Sequence, residues 1–369
     1  MKIGILTQPL GTNYGGLLQN FALQKVLTTF GGEPVTILFM GRKPKLGFIY
    51  KFAFFRFLLH FLLGRNLVVF HDRYYGRLID FSLRNIRQSE PVYAPMTLEN
   101  IKSMGIDAVV VGSDQVWRIP YSPRIETFFL DFLHGEKGLK AIAYAASFGV
   151  DEQGVVGEFS EELLSRCAEY AKAFSAVSVR ESDAVEICKK YLNLDATFVL
   201  DPTMLLSASD YLSYFCRKNV FISSGIFAYF LDVSASKIWL AEKLSAESGL
   251  PVLHFLRESN SPFGRMPSVG EFLRGIHDSS FVITDSFHGV VFSIIFNKPF
   301  FVVLNKSRGI SRFESLLSMF GLEDRIVSET SGGVFHLERK IDWDNVNRVW
   351  GQMRERSLGF LRDSLGLSS

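Results

Sequence analysis

Short apolar runs alternate with amphipathic stretches along the whole chain. The apolar runs have the length of strands buried on both faces, as at residues 2–6 and 107–111. The stretches between them repeat apolar residues at helical spacing, and residues 17–30 place Leu17, Phe21 and Leu27 along one helix. Strands that alternate with helices predict parallel sheets joined by crossover helices.

The alternation forms two series. The first predicts strands over 2–6, 34–40, 107–111, 141–145, 177–179 and 197–200. The second predicts strands over 220–222, 252–255, 280–283 and 300–304. Helices are predicted over 17–30, 97–104, 159–174, 183–192, 234–248, 268–276, 289–296 and 343–365.

The chain has 369 residues, which is long for one compact core and favours two domains. We therefore predict an N-terminal domain of residues 1–203 and a C-terminal domain of residues 204–340. Residues 341–369 carry a last helix with a broad apolar stripe. That stripe has to be buried, and packing back on the first domain would bury it.

Composition changes this picture little. Apolar residues make up 47% and charged residues 21%, as in ordinary folded proteins. The net charge is +2 and no long basic tract is present, so we expect no nucleic-acid partner. Cys167, Cys188 and Cys216 form no CxxC pair, which argues against a disulfide framework and a zinc knuckle. The N-terminus predicts a buried strand instead of a signal peptide, and we expect a cytoplasmic protein.

One segment, residues 42–65, is basic and rich in Phe and Leu. It contains six basic and no acidic residues, and Lys51 and Arg56 interrupt its apolar run. No uncharged stretch of about 18 residues is therefore left to cross a bilayer. The composition is typical of a segment in peripheral contact with an anionic membrane, here the inner face of the cytoplasmic membrane. A buried helix or a dimer surface is the alternative interpretation.

Three strand-to-helix junctions carry polar or glycine-rich sequence. In open parallel sheets ligands bind beyond the carboxyl ends of the strands, where helix starts offer N–H groups to anions. The first junction, QPLGTNYGG at 8–16, has Gly15 and Gly16 for close backbone approach and Asn13 to cap a helix or orient a ligand. It matches neither GxGxxG nor a Walker loop, which disfavours a dinucleotide site, and a plain glycine turn remains the alternative.

The second junction, VVVGSDQVWR at 109–118, places Ser113 and Asp114 after a fully apolar strand. Asp114 is suited either to cap a helix or to act as a base, and capping is the commoner explanation.

The third junction, TDSFHG at 284–289, contains Thr284, Asp285 and Ser286, which are all good N-cap residues. Capping needs one of them and gives no reason for His288. A histidine titrates near neutral pH and is a natural acid or base, although a histidine on a helix is more often structural. The sequence therefore predicts a helix cap at this junction, with His288 as a candidate for chemistry in its first turn.

Taken together, these motifs resemble the polysaccharide pyruvyl transferase family. The matching stretches occur in family order: NYGGLLQNFALQ (13–24), VVGSDQVWR (110–118), AYAASFG (143–149), SVRES (178–182), VLDPTMLL (199–206) and ITDSFHGVVFSIIFNKPF (283–300). Each is weak alone, and six in order are specific.

The resemblance implies an α/β protein of two Rossmann-like domains facing across a GT-B-like cleft, with the C-terminal helix packing back. It also implies transfer of pyruvate from phosphoenolpyruvate to two hydroxyls of a sugar or an undecaprenyl-linked glycan, which forms a cyclic ketal and releases phosphate. No cofactor and no metal are expected besides this donor substrate. In the family a histidine near the start of the second-domain helix is the expected catalytic residue, and here that position is His288.

The resemblance also implies roles for the other candidate site residues. His288 would be the general acid, with Asp285 or Asp114 keeping its imidazole protonated or accepting a hydroxyl proton. Many members have an arginine two residues before this histidine, where the present chain has Ser286. Arg180 in SVRES is the first candidate to replace it, because a guanidinium pairs with phosphate and carboxylate bidentately. Further donor-side candidates are Thr284, Ser286, Gly289, Lys298, Lys306, Arg308 and Arg312. The acceptor-side candidates are Asn13, Tyr14, Gly15, Gly16, Ser113, Asp114 and Gln115.

Two other functions fit the same architecture, because a fold does not fix a function. One is a GT-B nucleotide-sugar glycosyltransferase, although no paired-glutamate pattern follows the second-domain helix. The other is a glycan-binding module without turnover, which Ser286 in place of the family arginine would permit.

Overall fold

The computed structural model describes most of the chain. The described residues are 1–11, 13–40, 67–122, 124–136, 138–215, 224–255, 266–304, 309–329 and 333–367. Several sequence-based predictions lie outside them: the basic segment 42–65, the strand at 220–222, Cys216, Lys306 and Arg308.

The first part of the chain forms a six-stranded parallel sheet and a separate two-stranded one. The strands are β1 (Lys2–Leu6), β2 (Glu33–Thr36), β3 (Phe39–Met40), β4 (Val92–Tyr93), β5 (Ala108–Val111), β6 (Lys140–Ala146), β7 (Ala176–Val179) and β8 (Ala196–Phe198). The large sheet has the order β2-β1-β5-β6-β7-β8, and β3 pairs with β4. The central strand β5 is buried at all four residues, as its apolar run predicts.

Helices cover both faces of this sheet. They are α1 (Tyr14–Thr29), α2 (Leu67–Asn85), α3 (Leu98–Ser103), α4 (Glu152–Glu158), α5 (Glu161–Ala171) and α6 (Asp183–Ile187). The helix predicted over 159–174 is observed as α5, which Ser160 caps through its hydroxyl and which is two residues shorter at its start and three at its end. The sequence did not predict α4, which Asp151 caps through its carboxylate.

The second sheet has five parallel strands in the order β10-β9-β11-β12-β13. They are β9 (Ile226–Tyr229), β10 (Val252–His254), β11 (Phe281–Thr284), β12 (Phe300–Val303) and β13 (Ile326–Val327). The helices of this part are α7 (Ala208–Phe215), α8 (Ala235–Ser248), α9 (Val269–Asp278), α10 (Phe287–Ile295), α11 (Ser311–Phe320) and α12 (Trp343–Leu365). The sequence did not predict β9, which is buried at all four residues and pairs with β10 and β11.

One apolar core runs through both sheets. It extends from Ile3 and Leu17 of the first domain to Phe272 and Phe292 of the second. A separate apolar cluster covers the outer face of each sheet. The cluster on the first sheet surrounds Trp117, and the cluster on the second sheet contains second-domain residues alone. The predicted class, α/β with two Rossmann-like sheets facing across a cleft, is confirmed.

The C-terminal helix α12 packs back on the first domain, as predicted. The Ser357 hydroxyl accepts the Leu200 backbone N–H at 3.0 Å. The Trp350 Nε1 donates at 2.8 Å to the carbonyl of Met204, which lies at the predicted boundary between the domains. Farther along, the Lys140 Nζ donates to the Leu365 carbonyl at 3.1 Å. The chain that precedes the second sheet and the helix that follows it are therefore both attached to the first domain.

Within the described residues, no helix combines the length and the apolar character that a membrane span requires.

Candidate active site

A cleft of about 250 Å³ lies where the carboxyl ends of the two sheets face each other. The first-domain wall comprises Gln8, Asn13, Gly16, Asp114, Gln115 and Tyr121. The second-domain wall comprises Leu231, Ser286, Phe287, His288 and Arg312. All three predicted junctions therefore meet at one cleft, as the rule for open parallel sheets requires.

His288 reaches the cleft because α10 begins directly after β11. Ser286 is the N-cap, and its hydroxyl accepts the Gly289 N–H at 3.3 Å. Thr284 ties β11 to β9 by donating its hydroxyl hydrogen to the Tyr229 carbonyl, and it also accepts the Ser286 N–H at 3.0 Å. Capping and the placement of the histidine are thus separate tasks of the same motif.

The His288 imidazole lies between the two domains. It is 6% exposed, and its Nε2 is 3.7 Å from Asp201 Oδ1, which is too long for a hydrogen bond. Among the described residues Nε2 has no hydrogen-bond partner. The other nitrogen packs on the first turn of α1, where a Cβ added to Gly15 would lie 2.0 Å from Nδ1. Only a glycine at this position leaves room for the imidazole.

Asp201 is the carboxylate that faces His288, and the sequence did not reveal it. Its Oδ1 accepts the Thr203 N–H at 3.0 Å and hydroxyl at 2.6 Å, and its Oδ2 accepts Arg180 Nη1 at 2.7 Å. Burial opposes ionisation, but the His288 ring, the Arg180 guanidinium and the Thr203 hydroxyl outweigh it and hold the pKa of Asp201 well below its usual range. The aspartate in VLDPTMLL was the available signal, and it reads equally well as a cap.

Arg180 was predicted to bind the donor, and the structure places it behind the cleft. Its side chain is 1% exposed and is not part of either cleft wall. Besides Asp201, its guanidinium pairs with Asp114 Oδ1 at 3.0 Å, and its Nε lies 3.5 Å from Glu181 Oε1. Asp201 and Asp114 therefore occupy Nη1 and Nη2 of the guanidinium, whereas its Nε has no hydrogen-bond partner among the described residues.

Asp114 and Ser113 occupy different places although they are adjacent. Asp114 lies in the cleft, and the nearby positive charges of Arg180, His288 and Arg312 overcome burial and lower its pKa. Ser113 is buried behind it and donates its hydroxyl hydrogen to the Ala145 carbonyl at 2.9 Å. Ser113 is therefore part of the scaffold.

Glu181 is a second buried carboxyl group behind the cleft. Its Oε1 accepts the Ser147 hydroxyl, and its Oε2 has no hydrogen-bond partner in the described part of the chain. Burial raises the pKa of Glu181 to about 7, although Arg180 and Ser147 act in the opposite direction.

Arg312, in the first turn of α11, is the buried cation of the second-domain wall. Its guanidinium carbon lies 5.3 Å from the centre of the Phe287 ring and 5.4 Å from that of Phe313. It is 5% exposed, and its Nε has no hydrogen-bond partner among the residues described. Burial and the neighbouring charge of Arg180 lower the pKa of Arg312 to about 10, so it stays protonated at neutral pH.

Asp285 and Lys298 are not at the positions expected for the reaction. The Asp285 carboxylate is fully buried and accepts the Leu231 and Asp232 N–H groups and Lys237 Nζ, the last at 2.7 Å. It therefore orders the loop after β9 and is not the partner of the imidazole. Lys298 follows the C-terminal end of α10, whereas His288 lies at its beginning, so the lysine is at the opposite edge of the sheet from the cleft.

Some acceptor-side candidates line the cleft, and others are buried outside it. Asn13 lines the cleft and caps α1 by accepting the Gly15 N–H at 3.0 Å, and Gly16 and Gln115 also line it. Tyr14 instead is buried between the domains, where its ring stacks on Phe272 with centroids 4.6 Å apart. On the donor side Gly289 packs against Thr284, since an added Cβ would lie 2.6 Å from Thr284 Oγ1.

No group of three His, Cys, Asp or Glu side chains arranged to hold a metal ion occurs within the described ranges.

The architecture defines the class. The complex of S. aureus MnaA with UDP is 13% identical to this chain, with 100% of this chain and 97% of that one covered and a TM-score of 0.52. UDP-GlcNAc 2-epimerase from Neisseria meningitidis bound to UDP-GlcNAc is 10% identical, with 99% of each chain covered and a TM-score of 0.50. At such identities the likeness concerns the fold alone, which is of the GT-B type.

The family follows from the sequence. The model of the polysaccharide pyruvyl transferase family matches residues 13–307, and the chain belongs to this family of transferases. A search of curated proteins found no match. His288 lies within the matched residues, whereas Arg312 lies beyond them.

Proposed function

We propose that this protein transfers pyruvate from phosphoenolpyruvate to two hydroxyls of a glycan or lipid-linked sugar, forming a cyclic ketal and releasing phosphate. Membership of the family supports this reaction. The observation that carries it is that His288 and Arg312 line one cleft, so that a titratable acid lies beside a cation with an unused donor.

Arg312 would hold the donor in place of the arginine that Ser286 replaces. Phosphoenolpyruvate carries a phosphate and a carboxylate, and a planar guanidinium pairs well with either. Arg312 lies in the first turn of α11, where free backbone N–H groups and the positive end of the helix dipole add to the attraction. The buried Ser311 hydroxyl beside it also has no hydrogen-bond partner in the described chain.

His288 would act as the general acid. It donates a proton to the methylene carbon of the enol, and the adjacent carbon becomes electrophilic. One sugar hydroxyl attacks that carbon and loses its proton, the bond to the phosphate oxygen breaks, and the second hydroxyl closes the ring and loses its proton. One hydroxyl proton restores His288, and the other leaves with phosphate. The Asp201 carboxylate faces Nε2 at 3.7 Å and would orient the ring electrostatically.

The acceptor in this proposal is a sugar on an undecaprenyl-type lipid carrier at the inner face of the cytoplasmic membrane. The basic segment 42–65 supports it by composition alone, through attraction to anionic lipid. Binding to liposomes that contain anionic lipid should fall when Lys45, Lys51 and Arg56 are replaced by Glu. Equal binding by that variant would contradict the membrane contact.

Mass spectrometry tests the reaction directly. Lipid-linked sugars incubated with the protein and phosphoenolpyruvate should gain the mass of pyruvic acid less one water, with one phosphate released per adduct. Thermal-shift measurements with UDP-sugars serve as the comparison, because structural neighbours of the same fold carry UDP or UDP-GlcNAc. Stabilisation by UDP-sugars and not by phosphoenolpyruvate would favour a nucleotide-sugar transferase instead.

A further inference from the structure

One aromatic ring stands exposed in the cleft. Tyr121 is 40% exposed, and among the large apolar side chains that the structure describes as exposed it alone belongs to a cleft wall. Phe287, the other aromatic residue of the cleft, is 3% exposed and lies near the guanidinium groups of Arg180 and Arg312. The free aromatic surface of the site therefore belongs to the first domain.

The Tyr121 ring is supported by Arg118. The Arg118 guanidinium carbon lies 5.1 Å from the ring centre, a cation–π distance. Arg118 is itself 8% exposed and fixed by two side chains, with Nη1 donating to Gln115 Oε1 at 3.0 Å and Nε to Glu158 Oε1 at 3.2 Å. The Tyr121 N–H donates to the Arg118 carbonyl at 3.1 Å. An exposed ring with this support loses little conformational freedom when a ligand covers it.

The side chains around the ring are mostly neutral. Gln8, Asn13 and Gln115 bring amide groups to the same wall, and the one carboxylate there, Asp114, is already paired with Arg180. Amides donate and accept hydrogen bonds, as sugar hydroxyls do, and a pyranose also has an apolar C–H face that suits an aromatic ring. Phosphate or carboxylate would find no unpaired cation on this wall among the residues described.

We infer that Tyr121 is the stacking platform of the acceptor subsite and that its ligand is a neutral hexopyranose. This rests on the proposed function and adds to it the place and the chemistry of the acceptor. Tyr121 and Arg312 line the same cleft of about 250 Å³ from its two walls. A sugar on the ring therefore has its hydroxyls beside the donor site.

Binding of sugar and donor is measured separately in this test. Saturation-transfer NMR with a panel of methyl hexopyranosides reports sugar binding, and calorimetry with phosphoenolpyruvate reports donor binding. The variants are Tyr121→Ala, which removes the ring, and Tyr121→Phe, which keeps it. Trp239→Ala is the matched control, since Trp239 is an aromatic residue of 50% exposure outside the cleft walls. The melting temperatures of all four proteins are measured first, to show that each variant is folded like the wild type.

We expect Tyr121→Ala to weaken sugar binding by about tenfold, which corresponds to about 1.4 kcal/mol, because the stacking surface of the ring is lost. Tyr121→Phe and Trp239→Ala should bind the sugar like the wild type, and donor binding should be equal in all. Wild-type sugar binding in Tyr121→Ala, or no saturation transfer from any methyl hexopyranoside to the wild type, would overturn the inference. Loss of sugar binding in Tyr121→Ala without donor binding in any protein would support the sugar subsite and contradict pyruvyl transfer.

Discussion

The two walls of the cleft differ in how they meet a ligand. The first-domain wall presents amides and one exposed ring, and its carboxylate Asp114 is neutralised from behind by Arg180. The second-domain wall presents His288 and Arg312, each in the first turn of a helix. Helix starts and unpaired cations suit anions, whereas amides and aromatic rings suit neutral sugars. Within one cleft, the second domain therefore supplies the groups that suit anions, and the first domain supplies the groups that suit neutral sugars.

The His288 imidazole is the exception to this division, because both domains contribute to its surroundings. His288 belongs to the second domain, but Asp201 and Gly15 of the first domain fix its surroundings. The acid is therefore placed correctly only when the two domains are together, and the following changes test that dependence and the contrast between the walls.

Replacement of His288 by Gln should have the largest effect. Loss of a general acid lowers rates by about 10² to 10⁴, and we expect phosphate release from phosphoenolpyruvate to fall by that factor. The folded structure should persist, as measured by circular dichroism. His336→Gln, at an exposed histidine, is the control and should keep full activity. Near-normal turnover of His288→Gln would remove the acid from the second-domain wall.

Replacement of Gly15 by Ala should have the next largest effect. The added methyl group would lie 2.0 Å from His288 Nδ1, so the imidazole has to move. Displacement of a reacting group by about 1 Å costs on the order of a hundredfold in rate, and we expect kcat to fall by that order. In Gly16→Ala the methyl group meets no atom within 4 Å, so the loss should be at most severalfold. Equal kcat values for the two variants would show that α1 does not position the imidazole.

The two buried arginines should behave in opposite ways. Arg312→Ala should raise the KM for phosphoenolpyruvate about ten- to a hundredfold, since a hydrogen bond to a charged group is worth about 1.5–3 kcal/mol, and Arg312→Lys should recover part of this. Arg180→Ala should instead destabilise the fold by about 3–5 kcal/mol, because Asp201 and Asp114 lose their counter-ion. Steady-state kinetics and urea unfolding measure the two effects. An unchanged donor KM in Arg312→Ala would contradict its assignment.

Glu181→Gln should change the pH dependence of stability and have the smallest effect on activity. The folded-state pKa of Glu181 is about 7, above the ordinary value of 4.5. Its contribution to stability is therefore complete below pH 4.5 and is lost as the pH rises to about 7, by on the order of 3 kcal/mol. Urea unfolding at pH values across this window should show the decline in the wild type and not in the Gln variant. Parallel curves would mean that the pKa of Glu181 does not change on folding.

Local sequence was sufficient for some of these features. The start of α10 and the position of His288 followed from an apolar strand and three adjacent capping residues, all within a few positions. Helix α1 begins at Tyr14, three residues before the predicted start at residue 17, because Asn13 caps it, which the sequence had offered as one of two roles for Asn13. The polysaccharide pyruvyl transferase family was also identified from short motifs, and the family match confirms it.

Distant pairing decided the predictions that were wrong. Arg180 is neutralised by Asp114, which precedes it by 66 positions, and Asp285 is paired with Lys237, 48 positions earlier. No local pattern tells whether such a charge is available to a ligand. Asp201 was missed for the same reason, because its importance lies in facing a histidine from the other domain. The domain boundaries and the acceptor identity stay predictions.

The return of α12 to the first domain has a mechanical consequence. The second sheet is attached to the first domain at two places, through the chain near Met204 and through α12, and the Trp350 indole joins these two attachments directly. Separation of the domains would have to break this anchor and expose the apolar core that both sheets share. We therefore expect the two domains to stay in contact and the imidazole to keep its position on Gly15.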